Sequence, residues 1–321
     1  MNRIRRSIAV PAAVAIAVAA LAGCSSNDSG GVSAASTICF ITGTDSVAYG
    51  VQLNSGFNKA AKAAGYDVLQ ITQNFDPQKG ADALNTCISR DVKGIVLWPV
   101  DPHAYLAGLT AASAANIPVT IVNSPVDAKS AKLVKAASGP DNRKEGALAA
   151  EALNTALKGK GNILVIEGQP GNGTTVDRTG GFMTELKSLG SSLKVIDTVT
   201  SNFDAQTALV ASRDVITRYG ADINGVFADD QSAPGFIQAW KESGQTGAVP
   251  LVVGIGGQQD AFAAIKSGAM FATILQSPII DGQQGFAIME KVLKNTKVTY
   301  DNPIEVTVVD KTNVDSLKPA F

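Results

Sequence analysis

From Thr37 onward, short apolar runs rich in β-branched residues alternate with longer stretches whose apolar residues recur every three or four positions. The runs predict strands at 37–42 (TICFIT), 66–72, 93–98, 117–122 and 132–136, and again at 161–167, 193–200, 223–228, 249–254 and 271–275. Between them, helical spacing covers 48–64, 77–90, 141–158, 174–189, 204–219, 231–243 and 278–294. Strands that are apolar throughout and separated by helices belong to parallel sheets covered on both faces, so the pattern predicts an α/β fold. A pause near 137–141 divides the strands into two sets and predicts two doubly wound sheets.

Ahead of Thr37 the pattern is different. Arg3, Arg5 and Arg6 precede a stretch, 8–22, made almost wholly of Ala, Val, Ile and Leu and broken only by Pro11. That stretch is short for a membrane span, and its flanks read as an export signal. Leu21-Ala22-Gly23-Cys24 resembles the lipobox of bacterial lipoproteins, in which the cysteine is acylated and becomes the first residue. The expectation is a signal peptide over 1–23, a lipidated Cys24 and a flexible Ser/Gly/Asn tether over 24–36. The protein would then be extracytoplasmic and lipid-anchored to the cell membrane. Arg5-Arg6 only partly suits a twin-arginine signal, which leaves the export route open.

The formal net charge is −1, and the signal region holds basic residues without acids, so residues 24–321 are mildly acidic. Such a balance gives no footprint for nucleic acid and no basic patch for anionic lipid. Besides Cys24 there are Cys39, on the first strand, and Cys87, on the second helical stretch. An oxidising compartment permits a disulfide between them; two small buried thiols are the alternative. The chain has one histidine, His103, and no Cys-x-x-Cys, so neither a metal site nor a metal cofactor is expected.

Ligands of doubly wound sheets bind beyond the carboxyl ends of the strands. Polar and aromatic residues gather at those ends: Thr42–Asp45, Gln73-Asn74-Phe75, Trp98, Asn123-Ser124, Gln169, Asp229-Asp230-Gln231, Gly256–Gln258 and Gln276. Gly168-Gln169-Pro170-Gly171-Asn172-Gly173-Thr174-Thr175 has phosphate-loop glycine spacing, but Thr174 stands where the lysine belongs. It reads as a tight turn that starts a helix close to a ligand. Asp229 and Asp230 are adjacent at a strand end, where neighbouring side chains point to opposite faces. A shared acid–base role is therefore disfavoured. The simpler reading has one carboxylate accepting ligand hydroxyls and the other capping the next helix. Arg178 offers a fork of donors to a cleft, and its loss would weaken ligand binding without unfolding the lobe. Trp98 could stack on a ring-shaped ligand or sit in the core, whereas Trp240 reads as structural. His103 lies at an expected helix start, without the partners of a catalytic triad.

Four segments carry a resemblance. Asp177-Arg178-Thr179-Gly180-Gly181-Phe182, Ala228–Gly235, Val253–Gln258 and Ala272–Pro278 resemble the ribose-type periplasmic binding proteins, and the similarity runs in order from Ile38 to about Val309. The resemblance implies two Rossmann-like lobes joined by a three-crossing hinge, one of 37–139 plus 277–303, the other of 140–276 plus 304–321. It implies a ligand site that includes Tyr49, Trp98, Asn123, Arg178, Phe203, Asp229 and Gln276. Three positions depart from the family pattern: Gly256 replaces an aspartate, Ser124 an arginine and Trp98 an asparagine. These changes point away from ribose itself.

The expected function is that of a monomeric, non-enzymatic solute-binding lipoprotein. It would capture a small molecule, a sugar or polyol foremost, by closing its cleft and would deliver it to the permease of an ABC importer. A receptor that presents its ligand to a sensor is the alternative. An extracellular sugar-processing enzyme using Asp229 or Asp230 is a more distant one. A transcription regulator of the same fold is disfavoured by the export signal and by the lack of a helix-turn-helix before Ile38.

Overall fold

The computed structural model describes residues 36–321. The expected signal peptide, the lipidation site Cys24 and all of the tether before Ser36 lie outside the described residues. The first sheet is built from β1 (Thr37–Thr42), β2 (Asp67–Thr72), β3 (Gly94–Leu97), β4 (Val119–Val122) and β5 (Ala137–Gly139). The helices α1 (Ala48–Ala63), α2 (Pro77–Ser89) and α3 (Leu106–Ala114) alternate with its first four strands. The chain then passes through α4 (Asn142–Ala156) into the second sheet, formed by β6 (Lys160–Glu167), β7 (Ser192–Thr200), β8 (Gly225–Ala228), β9 (Leu251–Gly256) and β10 (Ala272–Leu275). Its strands alternate with α5 (Gly173–Ser188), α6 (Ala205–Tyr219), α7 (Ala233–Glu242) and α8 (Gln259–Ser267). Finally α9 (Pro278–Leu293) returns to the first sheet, where β11 (Asp301–Pro303) joins β5, and β12 (Thr307–Asp310) goes back to pair with β10.

The two sheets share one strand order. The first runs β11-β5-β4-β3-β1-β2 and the second β12-β10-β9-β8-β6-β7. All pairs are parallel except β10–β12, which is antiparallel. The chain crosses between sheets three times, after β5, after β10 and between β11 and β12, always at the same edge. This is the expected α/β architecture of two parallel-sheet lobes. Every residue of β1, β3, β4 and β8 is buried, as sheets covered by helices on both faces require. Each lobe has apolar clusters on both faces of its sheet.

Some expected elements moved. The run 132–136 is not a strand: Asp127 Oδ1 accepts from the amides of Lys129 and Ser130, and the chain turns into a short 3-10 helix, Ser130–Leu133. The strand that follows β4 comes later, at β5, within the stretch that reads as a pause, and it lies between β4 and β11. The helix expected near His103 begins at Leu106, and His103 stays exposed beside Asp127. The sulfurs of Cys39 and Cys87 lie at bonding distance, 1.95 Å, and link β1 to α2 inside the first lobe's core. Among the described residues, no helix is long and apolar enough to cross a membrane.

Candidate functional site

The carboxyl ends of both sets of strands face one cleft. It is lined from both lobes. The first lobe contributes Val47 and Tyr49 after β1, Phe75 after β2, Trp98 after β3 and Asn123 after β4. The second contributes Asn172, Thr174 and Arg178 around the start of α5, Phe203 after β7, Gln231 after β8, Ile255 on β9 and Gln276 after β10.

Six of the seven side chains expected at the site therefore line one cavity. Asp229 does not. It lies behind Arg178, buried, and accepts from Arg178 Nη1. Arg178 Nε donates to Glu145 Oε2 at 2.9 Å. The Gln276 amide is oriented so that its oxygen accepts from Arg178 Nη2 at 2.6 Å and its nitrogen donates to Glu145 Oε1 at 3.2 Å. The guanidinium thus reaches the cavity with its direction fixed by three partners. Helix packing places it there. α4 and α5 cross so closely that a Cβ on Gly146 would collide with the Arg178 carbonyl, and one on Gly181 with that of Arg143. Glu145 and Arg178 face each other across this crossing.

On the first-lobe side, the Tyr49 hydroxyl donates to Asp281 Oδ2 at 3.0 Å, and Asn123 Nδ2 donates to the same oxygen at 3.2 Å. Asp281 comes from α9, is fully buried, and its Oδ1 has no hydrogen-bond partner among the described residues. Burial pushes its carboxyl up to about 7 against the hydrogen bonds from Asn123 and Tyr49, and the nearby Glu145 charge pushes the same way. Burial likewise raises Glu145 to about 7, outweighing the attraction of Arg178. Asp229 is raised for the same reason, and the Tyr49 phenol is raised well above its ordinary value by burial and by the Asp281 and Glu145 carboxylates. Ser124 and Thr174 close the gap between lobes with hydroxyls 2.7 Å apart, and Ser124 Oγ donates to Asn123 Oδ1.

Asp230 points away from Asp229, as alternation requires, but it does not cap α7. Its carboxylate accepts from the amides of Gly257 and Gln258 and from Thr273 Oγ1, so it braces the loop between β9 and α8. Burial raises it to about 6 against those bonds. The turn at 168–173 ends with Asn172 capping α5 through the Thr174 amide, and Gly171 takes a φ of 77°. Trp98 packs edge-on to Tyr49 on the cleft floor, and Trp240 lies in the core of the second lobe.

The expected ligand set left out Val47, Phe75, Asn172, Thr174, Gln231 and Ile255 of the cavity wall, and it left out two buried acids behind that wall. Glu145 and Asp281, which orient Arg178, Tyr49 and Asn123, are acids on buried helix faces made mostly of small or apolar residues: Gly146, Ala149, Ala150 and Leu153 beside Glu145 on α4, and Pro278, Gly282, Gly285 and Phe286 beside Asp281 on α9. A lone acid on such a stripe was the available signal. Among the described residues, no cluster of His, Cys, Asp and Glu could hold a metal ion.

A two-lobed α/β frame with a polar and aromatic cleft at its strand ends defines a class of hinged binding proteins. Residues 38–297 match the family described as periplasmic binding protein domain, and the chain belongs to that family. The resemblance drawn from its motifs holds. The chain is 29% identical over 261 residues to the xylitol-binding protein of Mycolicibacterium smegmatis, across 81% of this chain and 73% of that protein. It is 28% identical over 318 residues to the fructose import binding protein of Bifidobacterium longum, across 97% and 95%. An ABC transporter solute-binding protein from Agrobacterium vitis, solved with bound D-fucose, is similar in structure with a TM-score of 0.78 at 29% identity, across 87% of this chain and 97% of that one.

Proposed function

We propose that this protein captures a sugar or polyol outside the cytoplasm by closing its cleft and hands it unaltered to the permease of an ABC importer. The observation that carries the reading is the cleft itself: apolar rings and hydrogen-bonding groups from both lobes converge on one cavity, with Arg178 held by Glu145, Asp229 and Gln276. A ligand that touches both lobes binds the closed form better and shifts the population toward it. Even a full shift from an open to a closed population takes a differential of only about 5.5 kcal/mol, and an empty protein already partly closed needs less. Several buried hydrogen bonds of about 1 kcal/mol each with ring contacts of about 0.5–1.5 kcal/mol can supply that. The relatives that bind xylitol and fructose support a polyhydroxylated ligand. The ligand-binding set is Tyr49, Trp98, Asn123, Arg178, Phe203 and Gln276, with Asp229 acting through Arg178. The lobes are 37–139 plus 277–303 and 140–276 plus 304–321.

Leu21-Ala22-Gly23-Cys24 supports export and lipidation at Cys24, with the tether up to residue 36 holding a monomeric receptor at the membrane. The extracytoplasmic setting suits a Cys39–Cys87 disulfide.

Calorimetric titration with xylitol, D-fructose, D-fucose and D-ribose, with NMR of the recovered sugar, tests the function. Stoichiometric binding of at least one with the sugar unchanged is expected. Conversion of the sugar to product, or no heat with any polyhydroxylated compound, removes the reading.

A further inference from the structure

One tripeptide occurs twice at matching places in the two lobes. Asn74-Phe75-Asp76 follows β2, and Asn202-Phe203-Asp204 follows β7. β2 and β7 are the last strands of their sheets, at the edge opposite the three crossings. In both copies the Asn and the Phe take left-handed backbone angles, φ 53° and 58° in the first, 55° and 60° in the second. In both, the Asp caps the following helix, Asp76 through the amides of Gln78 and Lys79, Asp204 through that of Thr207. Asparagine tolerates this conformation, but a bulky residue with positive φ is uncommon and is held there only by its surroundings. Phe75 rests on the first lobe's core, and its amide donates to the Gly43 carbonyl. Phe203 lies so close to Gly168 that a Cβ there would strike the ring. The two strained loops aim their rings at each other across the cleft, with centroids 5.7 Å apart and planes 27° apart.

At that separation the rings pack on each other with no third layer between them, so a guest meets Phe203 from the cavity side and not between the two rings. Both rings also line the cavity. From these placements we infer that Phe75 and Phe203 form an aromatic latch that holds the lobes together at the end of the cleft farthest from the hinge. The contact exists only while the lobes are closed, and hinge opening separates this edge more than any other part of the cleft. The latch therefore biases the empty protein toward closure and slows the escape of a bound solute. It rests on the cleft-closure reading for its biological use, but not for its test.

The test is solution scattering of the empty full-length chain with Phe75→Asn, Phe203→Asn and the double substitution. Asparagine removes the ring and keeps the left-handed backbone accessible. Each single variant should show a larger radius of gyration than the parent, and the double variant no more than the larger single, because both substitutions remove one shared contact. Phe75→Tyr keeps the ring and should scatter like the parent. Circular dichroism checks that the variants stay folded, and Phe75→Leu replaces any that does not. Unchanged radii in the ring-less variants, or fully additive effects, overturn the latch. In a second arm with xylitol, D-fructose and D-fucose as probes, Phe75→Asn should speed release of a bound probe by about ten-fold with little change in association rate; equal release rates count against the latch. If none of the probes binds, the assigned ligand class fails, and the scattering still decides the latch.

Discussion

The two lobes share a strand order, yet they stock the cleft differently. The first presents an aromatic floor, Tyr49 and Trp98, backed by the lone acid Asp281. The second presents Arg178 between two buried carboxylates. The first has its two cysteines at bonding distance between β1 and α2, where the second has no such link among its described residues and braces its β9–α8 loop with Asp230 instead. One frame used twice can divide the work: one half supplies a flat apolar surface and the other a fixed donor. The division also predicts where each half is vulnerable.

The largest effect should fall on the second lobe. Arg178→Ala would leave Glu145 and Asp229 buried without their cation, and removing one partner of a buried ion pair costs about 3–5 kcal/mol. The sequence reading held that this change would spare the lobe, but the fully buried Glu145 beside Arg178 argues otherwise. Urea unfolding should show the loss. Hydrogen exchange should locate it in α4 and α5, and protection there equal to the parent's would refute the account. The next effect belongs to the first lobe. Replacing both Cys39 and Cys87 by serine should cost about 2–4 kcal/mol, with exchange rising in β1 and α2 but not in β6 or α5. Uniform loosening of both lobes would erase the contrast between them.

Most of this frame was legible in the apolar pattern, because a parallel sheet leaves unbroken β-branched runs. The exceptions have physical reasons. α3 is Leu-Ala-Gly-Leu-Thr-Ala-Ala-Ser-Ala, small and apolar on most sides, so it shows little periodicity. β5, β11 and β12 are three or four residues long, and their pairing comes from the hinge rather than from any local preference. The 132–136 run alternates like a strand, but Asp127 captures the amides just upstream and bends the chain. Cleft residues were readable by their place after strands. What strand ends cannot reveal is what stands behind them: Glu145 and Asp281 reach the site from helix faces, and Phe75 meets Phe203 only through the fold's internal symmetry.

An effect shared by the lobes comes from pH. Glu145 on the second lobe and Asp281 on the first are both raised to about 7 when folded, from ordinary values of 4.5 and 3.8. A carboxyl raised by folding holds its proton more tightly in the native state. Its stabilising contribution is therefore complete below the unfolded value and is lost as pH rises through the folded one. The melting temperature should fall between about pH 5 and pH 8. Asp281→Asn keeps an acceptor for Tyr49 and Asn123 while removing the charge, so it should flatten that slope. A slope unchanged by the substitution would assign the pH response to other groups.

The least energetic test separates the two tryptophans. Trp98 lines the cleft against Tyr49, whereas Trp240 sits in the second lobe's core beside Phe236. A sugar entering the cleft changes the solvent and the dipoles around the first indole and leaves the second alone. Emission should therefore shift on titration with a bound sugar, the shift should survive Trp240→Phe, and it should vanish in Trp98→Phe. A shift that instead follows Trp240 would mean that closure is transmitted through the second lobe's core, and the picture of two rigid halves carrying separate tasks would give way to one in which the second lobe repacks as it binds.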